Sequence, residues 1–121
     1  MSVAELLEFK EMIKVKEESE ARKPDKQTRK LLLYLFTGTR GGFTRLRIIM
    51  LLLQRPYNTH QLAKELDIDY KAVQHHMQVL EKNNLITKEG EKYGITYFIS
   101  TFLEVNMEAF DEIVEKLEKS K

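Results

Sequence analysis

Apolar residues recur at Leu6, Phe9 and Ile13, with Leu7 and Met12 beside them and Lys and Glu between. That spacing predicts an amphipathic helix from Ser2 to about Glu20. Ser2 and Glu5 fit a capping box at its start. Glu17 to Lys23 is nearly all polar, which predicts a frayed end or a linker. Pro24 then stands where a second helix would begin and Gly38 where it would end. Between them runs an unbroken apolar stretch, Leu31 to Phe36. Periodicity alone allows helix or buried strand there; the proline and glycine punctuation favours helix.

Thr37 to Gly42 reads as a loop. Phe43 to about Gln54 follows as a helix, with Leu46, Ile49, Met50 and Leu53 as its apolar side. Pro56 stops it, because proline disfavours helix in the residue before it. Asn58 with Gln61 forms another capping box, opening a short helix that ends near Leu66. Asp67 and Ile68 make a tight turn. Asp69 caps a further helix to about Lys82, and Asn83-Asn84 ends it. Two strands come next, Leu85 to Glu89 and Ile95 to Ser100, joined by the loop Gly90 to Gly94. In the second strand Ile95, Tyr97 and Ile99 alternate with Thr96, Phe98 and Ser100. Thr101 with Glu104 opens the last helix, to about Lys119. Its apolar seam, Leu103, Met107, Phe110, Val114 and Leu117, is spaced like a coiled coil for little more than two heptads.

The expected fold is mainly α with a small β-hairpin: a winged helix-turn-helix with N- and C-terminal helices. Residues 1–23 form the N-terminal helix and linker. Residues 24–42 hold the apolar helix or strand and the glycine loop. Residues 43–100 are the winged helix-turn-helix domain, and 101–121 the C-terminal dimerisation helix. Leu62, Ala63 and Leu66 face inward on the first helix of the motif, and Ile68 plugs the turn. Val73, Met77 and Leu80 face inward on the second. That leaves Tyr70, Lys71, Gln74, His75 and Gln78 on its outer face. All five can hydrogen-bond and none is acidic, which suits the base edges of a major groove.

The stretch Q-L-A-K-E-L-D-I-D-Y-K-A-V-Q-H-H-M-Q-V-L-E-K-N-N-L-I resembles the helix-turn-helix of ArsR-like winged-helix transcription regulators. The wider block, from T-G-T-R-G-G through R-P-Y-N to K-Y-G-I-T-Y-F-I-S, is similar to an archaeal branch of that group. The resemblance spans about residues 37–100. It implies dimeric, sequence-specific DNA binding, with the helix after the turn as recognition helix. Two departures stand out. Asp67 occupies a turn position where glycine is usual; aspartate tolerates a left-handed backbone better than most residues. Metal-sensing members use cysteines near the recognition helix, and this chain has none. The hairpin sets Glu89 and Glu91 against Lys88 and Lys92, so the wing is not clearly basic.

Composition narrows the picture further. With 42% apolar and 32% charged residues, the chain has the balance of a folded domain rather than a disordered one. The absence of cysteine excludes disulfides, thiol catalysis and thiolate metal sites. The longest apolar run is too short to cross a bilayer. The first ten residues carry acids and no signal-peptide pattern, so a cytoplasmic location is expected. Net charge is +1, but residues 40–82 carry seven bases and four acids, and residues 101–121 three bases and six acids. A basic middle and an acidic tail suit a nucleic-acid face in the middle.

Arg40, Arg45, Thr59, His60 and His76 are candidate contacts to DNA phosphates. Arg40 and Arg45 flank a glycine-rich helix start, a natural anion site. Lys92 and Tyr93 at the hairpin tip are candidate wing contacts. His76, beside Met77, equally fits a packed side chain. No metal site is expected, because His75 and His76 diverge by about 100° on a helix and His60 is at no chelating spacing. No cofactor is expected: the glycine loop lacks the Lys-Ser/Thr of a P-loop. No catalytic constellation appears, so an enzyme is not expected. Leu6, Phe9 and Ile13, with the seam Leu103, Met107, Phe110, Val114 and Leu117, form the expected homodimer interface. Tyr34, Phe36, Phe102 and Phe110 either line a pocket or pack in the core, packing being the commoner use. The expected function is a homodimeric transcription regulator that binds double-stranded DNA and has no membrane partner. A winged-helix module for docking proteins is the alternative. The sequence names no effector, operator or direction of regulation.

Overall fold

The computed structural model describes residues 2–21, 25–92 and 94–119, and for residues 14–21 the backbone only. Pro24, Tyr93 and the linker residues Arg22 and Lys23 lie outside the described residues. The element order is α1 (Val3–Ala21), α2 (Lys26–Thr37), α3 (Gly42–Gln54), α4 (Thr59–Leu66), α5 (Tyr70–Lys82), β1 (Ile86–Glu89), β2 (Thr96–Ile99), α6 (Thr101–Val105) and α7 (Met107–Lys119).

Local chemistry sets most boundaries. Ser2 Oγ accepts from the Glu5 amide at 3.2 Å. The helix continues through Ala21, so Glu17 to Ala21 is helical rather than linker. The ambiguous run 31–36 is helix, inside α2. Its cap is Asp25, whose carboxylate accepts from the Thr28 amide at 2.7 Å. That bond holds the Asp25 pKa below the ordinary value. The Gly38 amide closes α2 by donating to the Leu33 and Tyr34 carbonyls. Asn58 and Gln61 form the full reciprocal capping box of α4. Asp67 adopts the left-handed conformation, φ 53°, that the turn demands. Asp69 sits at the N-cap of α5 but makes no side-chain cap bond.

The hairpin pairs Ile86 with Ile99 and Glu89 with Thr96. Tyr57 adds a one-residue bridge on the other side of β2 by pairing with Tyr97, with N–H···O distances of 3.4 and 2.8 Å. A single rung is too short to read as a strand in the sequence. The hairpin is moored at its base, where the Ser100 amide donates to the Leu85 carbonyl at 3.0 Å.

Three expectations are corrected here. Met50 and Leu53 of α3 are exposed, and the buried face instead carries Arg45, Leu46, Ile48, Ile49 and Leu52. The last helix is capped by buried Ser100, not Thr101: Ser100 Oγ accepts from the Leu103 amide and donates to the Asn84 carbonyl. It also breaks at Asn106 into α6 and α7. Most consequentially, the C-terminal seam does not form a free interface. Leu103 and Phe110 are fully buried in the chain's own core, and Met107, Val114 and Leu117 pack half-buried against it. α7 lies along α2, where Phe110 meets Phe36 edge-on at 5.5 Å. An edge-to-face aromatic pair adds about 0.5–1.5 kcal/mol to the burial itself. That pair answers the pocket question. Phe36 and Phe110 are core, Phe102 is half-buried beside them, and Tyr34 is exposed.

The N-terminal helix is the opposite case. Leu6, Phe9 and Ile13 are 44%, 54% and 42% exposed, and Val3, Leu7 and Met12 more so. The apolar face of α1 between Val3 and Ile13 is therefore largely exposed, although α1 touches α6.

Candidate nucleic-acid interface

The interface is built on α4, the Asp67–Ile68 turn and α5. Leu62 and Leu66 from α4 and Val73, Met77 and Leu80 from α5 are buried, with Ala63 and Ile68 half-buried between them. A helix that buries Val73, Met77 and Leu80 presents the opposite arc to solvent. Tyr70, Lys71, Gln74, His75 and Gln78 are all exposed on that arc. From Tyr70 to Gln78 the helix carries no carboxylate. The arc therefore presents amide, ammonium, imidazole and phenol groups, each able to pair with base edges or phosphates.

The two flanks of α5 are clamped. On one side the Tyr70 ring stacks on His60 of α4, with centroids 4.4 Å apart and planes 27° from parallel. Tyr70 is thus partly engaged, at 38% exposure. On the other side His76 Nδ1 meets Arg45 Nη1 of α3 at 3.2 Å. Neither clamp is visible in residue spacing, because each joins side chains from different helices.

Arg45 is not a phosphate contact. Its side chain is 4% exposed, and all three guanidinium nitrogens are engaged within the chain. Nε donates to the Leu35 carbonyl at 3.1 Å, Nη2 donates to Thr39 Oγ1, and Nη1 donates to His76. Burial pushes the Arg45 pKa down, and the neighbouring Tyr34 phenol raises it. His76 is half-buried with Nδ1 committed to Arg45, which leaves only its Nε2 for a partner outside the chain. Burial pushes its pKa below the ordinary histidine value, with Arg45 and then His75 adding to the shift. The packed reading of His76 holds.

Arg40 and His60 are exposed, and Thr59 is half-buried at the first turn of α4. Arg40 lies in the loop before α3, whose N-cap Gly41 supplies no side-chain cap to the first amides of that helix. Lys92 is exposed at the hairpin tip. Lys88 Nζ pairs with Glu81 of α5 at 3.4 Å, which ties the hairpin to α5. Arg55 lies over the Tyr57 ring at 4.0 Å. That pair went unread because Tyr57 is buried by the bridge to Tyr97 rather than by any periodic pattern. Among the described residues no group of three or more metal-ligating side chains comes together, and no helix is long and apolar enough to cross a membrane.

With that geometry in hand, comparison with known proteins is informative. Residues 43–88 match the family described as bacterial regulatory protein, arsR family. The fold is that of the winged helix-turn-helix regulators. Reduced HlyU from Vibrio cholerae matches with a TM-score of 0.55 at 21% identity, covering 75% of this chain and 90% of that one. The transcriptional regulator HlyU from Vibrio vulnificus matches with 0.55 at 19%, covering 75% and 88%. Oxidised MarR from E. coli matches with 0.56 at 11%, covering 99% and 79%. At these identities the likeness speaks to fold. No curated protein sequence matches the chain.

Proposed function

We propose that this chain is a DNA-binding transcription regulator that works as a homodimer and reads the major groove with α5. The observation that carries the reading is the exposed, carboxylate-free arc of Tyr70, Lys71, Gln74, His75 and Gln78. It lies on the second helix of a helix-turn-helix that matches an arsR-family description. Lys71, Gln74, His75 and Gln78 read base edges, and Tyr70 assists from its stack on His60. Arg40, Thr59 and His60 hold phosphates, and Lys92 and Tyr93 act from the wing. The resemblance of residues 37–42, 55–58 and 92–100 favours an archaeal branch. The cytoplasm is the compartment that fits such a role.

The second copy is held by α1. Its exposed Leu6, Phe9 and Ile13 are an apolar face still available, whereas Leu103 and Phe110 of the C-terminal seam are buried in the core. A two-fold dimer presents two recognition helices about one DNA turn apart. The test is retention of duplex DNA across a salt series. The reading expects binding whose logarithm falls linearly with log salt, with a slope of about −0.9 per phosphate neutralised. Failure to retain any duplex at low salt contradicts it. The acidic Glu89 and Glu91 of the wing, with Lys88 already paired to Glu81, would then direct attention to protein docking.

A further inference from the structure

Arg45 is a buried cation held by neutral groups alone: the Leu35 carbonyl, Thr39 Oγ1 and His76 Nδ1. No carboxylate among the described residues forms a salt bridge with it. A guanidinium only donates. His76 Nδ1 must therefore accept, which requires a neutral ring with its proton on Nε2. The same ring is pressed against the loop before α3. A Cβ placed on Gly41 would stand 2.6 Å from His76 Cε1. His76 thus joins three parts: the recognition helix that carries it, α3 through Arg45, and the loop that bears Arg40.

We propose that Arg45 and His76 form a proton-sensitive link that seats the recognition helix on α3, so that protonating His76 loosens α5 and weakens DNA binding. A proton from solvent forms an Nδ1–H bond, and the acceptor that Arg45 needs becomes a second donor. Two cations then face each other across 3.2 Å in a half-buried site, an arrangement that favours separation. The charged and titratable groups around the ring are few. Arg45 faces it from α3, and His75 acts on it from its own helix. Tyr34 of α2 acts on Arg45. The loop contributes Gly41 and Thr39, which do not titrate, and the cation Arg40, which is exposed and is not among the groups acting on the ring. α4 and β1 engage α5 elsewhere, through the His60–Tyr70 stack and the Lys88–Glu81 pair. Among the described residues no carboxylate acts on His76 to offset the repulsion.

The affinity effect rests on the DNA-binding reading; the seating of α5 does not, and the two are measured separately. In the free wild-type protein, the His76 ring signal and the Gly41 amide signal are followed by NMR from pH 8 to pH 5. The expected result is a shared midpoint below that of free histidine, with weakened exchange protection of the α5 amides below it. A His76 midpoint at or above the free value, or a Gly41 amide that ignores the transition, overturns the link. In parallel, affinity for a duplex retained by the wild type is compared with His76→Gln. The glutamine amide oxygen accepts from Arg45 at every pH. The other two histidines are common to both proteins, so their own titration largely cancels in the ratio, apart from the coupling between His75 and His76. The ratio of variant to wild-type affinity is expected to rise about tenfold per protomer for each pH unit below the midpoint. A flat ratio with DNA still bound overturns the coupling while leaving the regulator reading intact. If no duplex is retained, the regulator reading fails and the NMR titration alone decides the link.

Discussion

Replacing Arg45 by methionine separates an internal role from a DNA-contact role. Methionine fills much of the same volume and removes every donor. The Leu35 carbonyl, Thr39 Oγ1 and His76 Nδ1 then lose their partner together. Hydrogen bonds to a charged group contribute about 1.5–3 kcal/mol each, and a buried acceptor left alone costs about 1–3 kcal/mol. Relief of the guanidinium's own desolvation offsets part of that loss. Thr39 Oγ1 already donates to the Leu35 carbonyl at 3.5 Å, so that pair is not left wholly without a partner. The net expectation is about 2–4 kcal/mol of lost stability. The assay is urea unfolding of wild type and Arg45→Met at one fixed protomer concentration, since dimerisation couples to stability. With a slope of about 1.5 kcal/mol per molar urea, the midpoint falls by about 1.3–2.7 M. Residual DNA binding by the folded fraction keeps its salt slope, because no phosphate contact is lost. Refutation would be a midpoint within about 0.3 M of wild type together with a salt slope reduced by ~1. That outcome would put the guanidinium on a phosphate and contradict its burial.

Further predictions concern the helix seats, the reading face and the dimer. Gly41→Ala forces a side chain onto a backbone at φ 86° and into the His76 ring; it should cost at least about 1–2 kcal/mol, read as a lowered Tm. Gln74→Ala should cost about 1–3 kcal/mol at one base step, whereas Arg40→Ala should weaken all sites alike and reduce the salt slope by ~1; a mismatch panel at two salt concentrations tells them apart. Phe9→Asp should raise the dimer Kd at least about tenfold in sedimentation analysis, with unfolding unchanged only at concentrations where both proteins are monomeric, while Phe110→Ala should cost about 3–5 kcal/mol of folding stability. The His76 contribution to stability has a fixed sign: its pKa is lowered on folding, so the contribution is fully present above about pH 6.5 and is lost as pH falls through the depressed value. Acid titration of wild type and His76→Gln by thermal unfolding should diverge only on the acid side.

The sequence carried the helix-turn-helix because its signals are local and redundant. The Asn58–Gln61 box, the left-handed Asp67, and Val73, Met77 and Leu80 at spacings of four and three each report a nearby structure. What it did not carry depends on distant partners. Leu103 and Phe110 have a spacing that suits a dimer seam and a core equally; only the presence of α2, with Phe36 facing Phe110, decides between them. Arg45 looked like an anion ligand beside a glycine loop, and no periodicity reveals that Leu35, Thr39 and His76 converge on it. The α3 face was misjudged by one position for the same reason: Met50 fits the apolar period, yet Arg45 takes the buried place because it brings its own partners. Ser100 displaced Thr101 as a cap because its hydroxyl also answers the Asn84 carbonyl sixteen residues away.

The central claim, that α5 reads DNA sequence, is tested most directly by selection from a pool of random-centred duplexes. The wild-type protein and the Lys71→Ala/Gln74→Ala/His75→Ala variant are run side by side, and the retained DNA is sequenced. The three side chains are exposed, so the variant keeps its core. The account predicts a two-fold symmetric motif with half-sites about one helical turn apart for the wild type, and its loss in the variant. The same motif recovered from both proteins would contradict α5 as the reading helix.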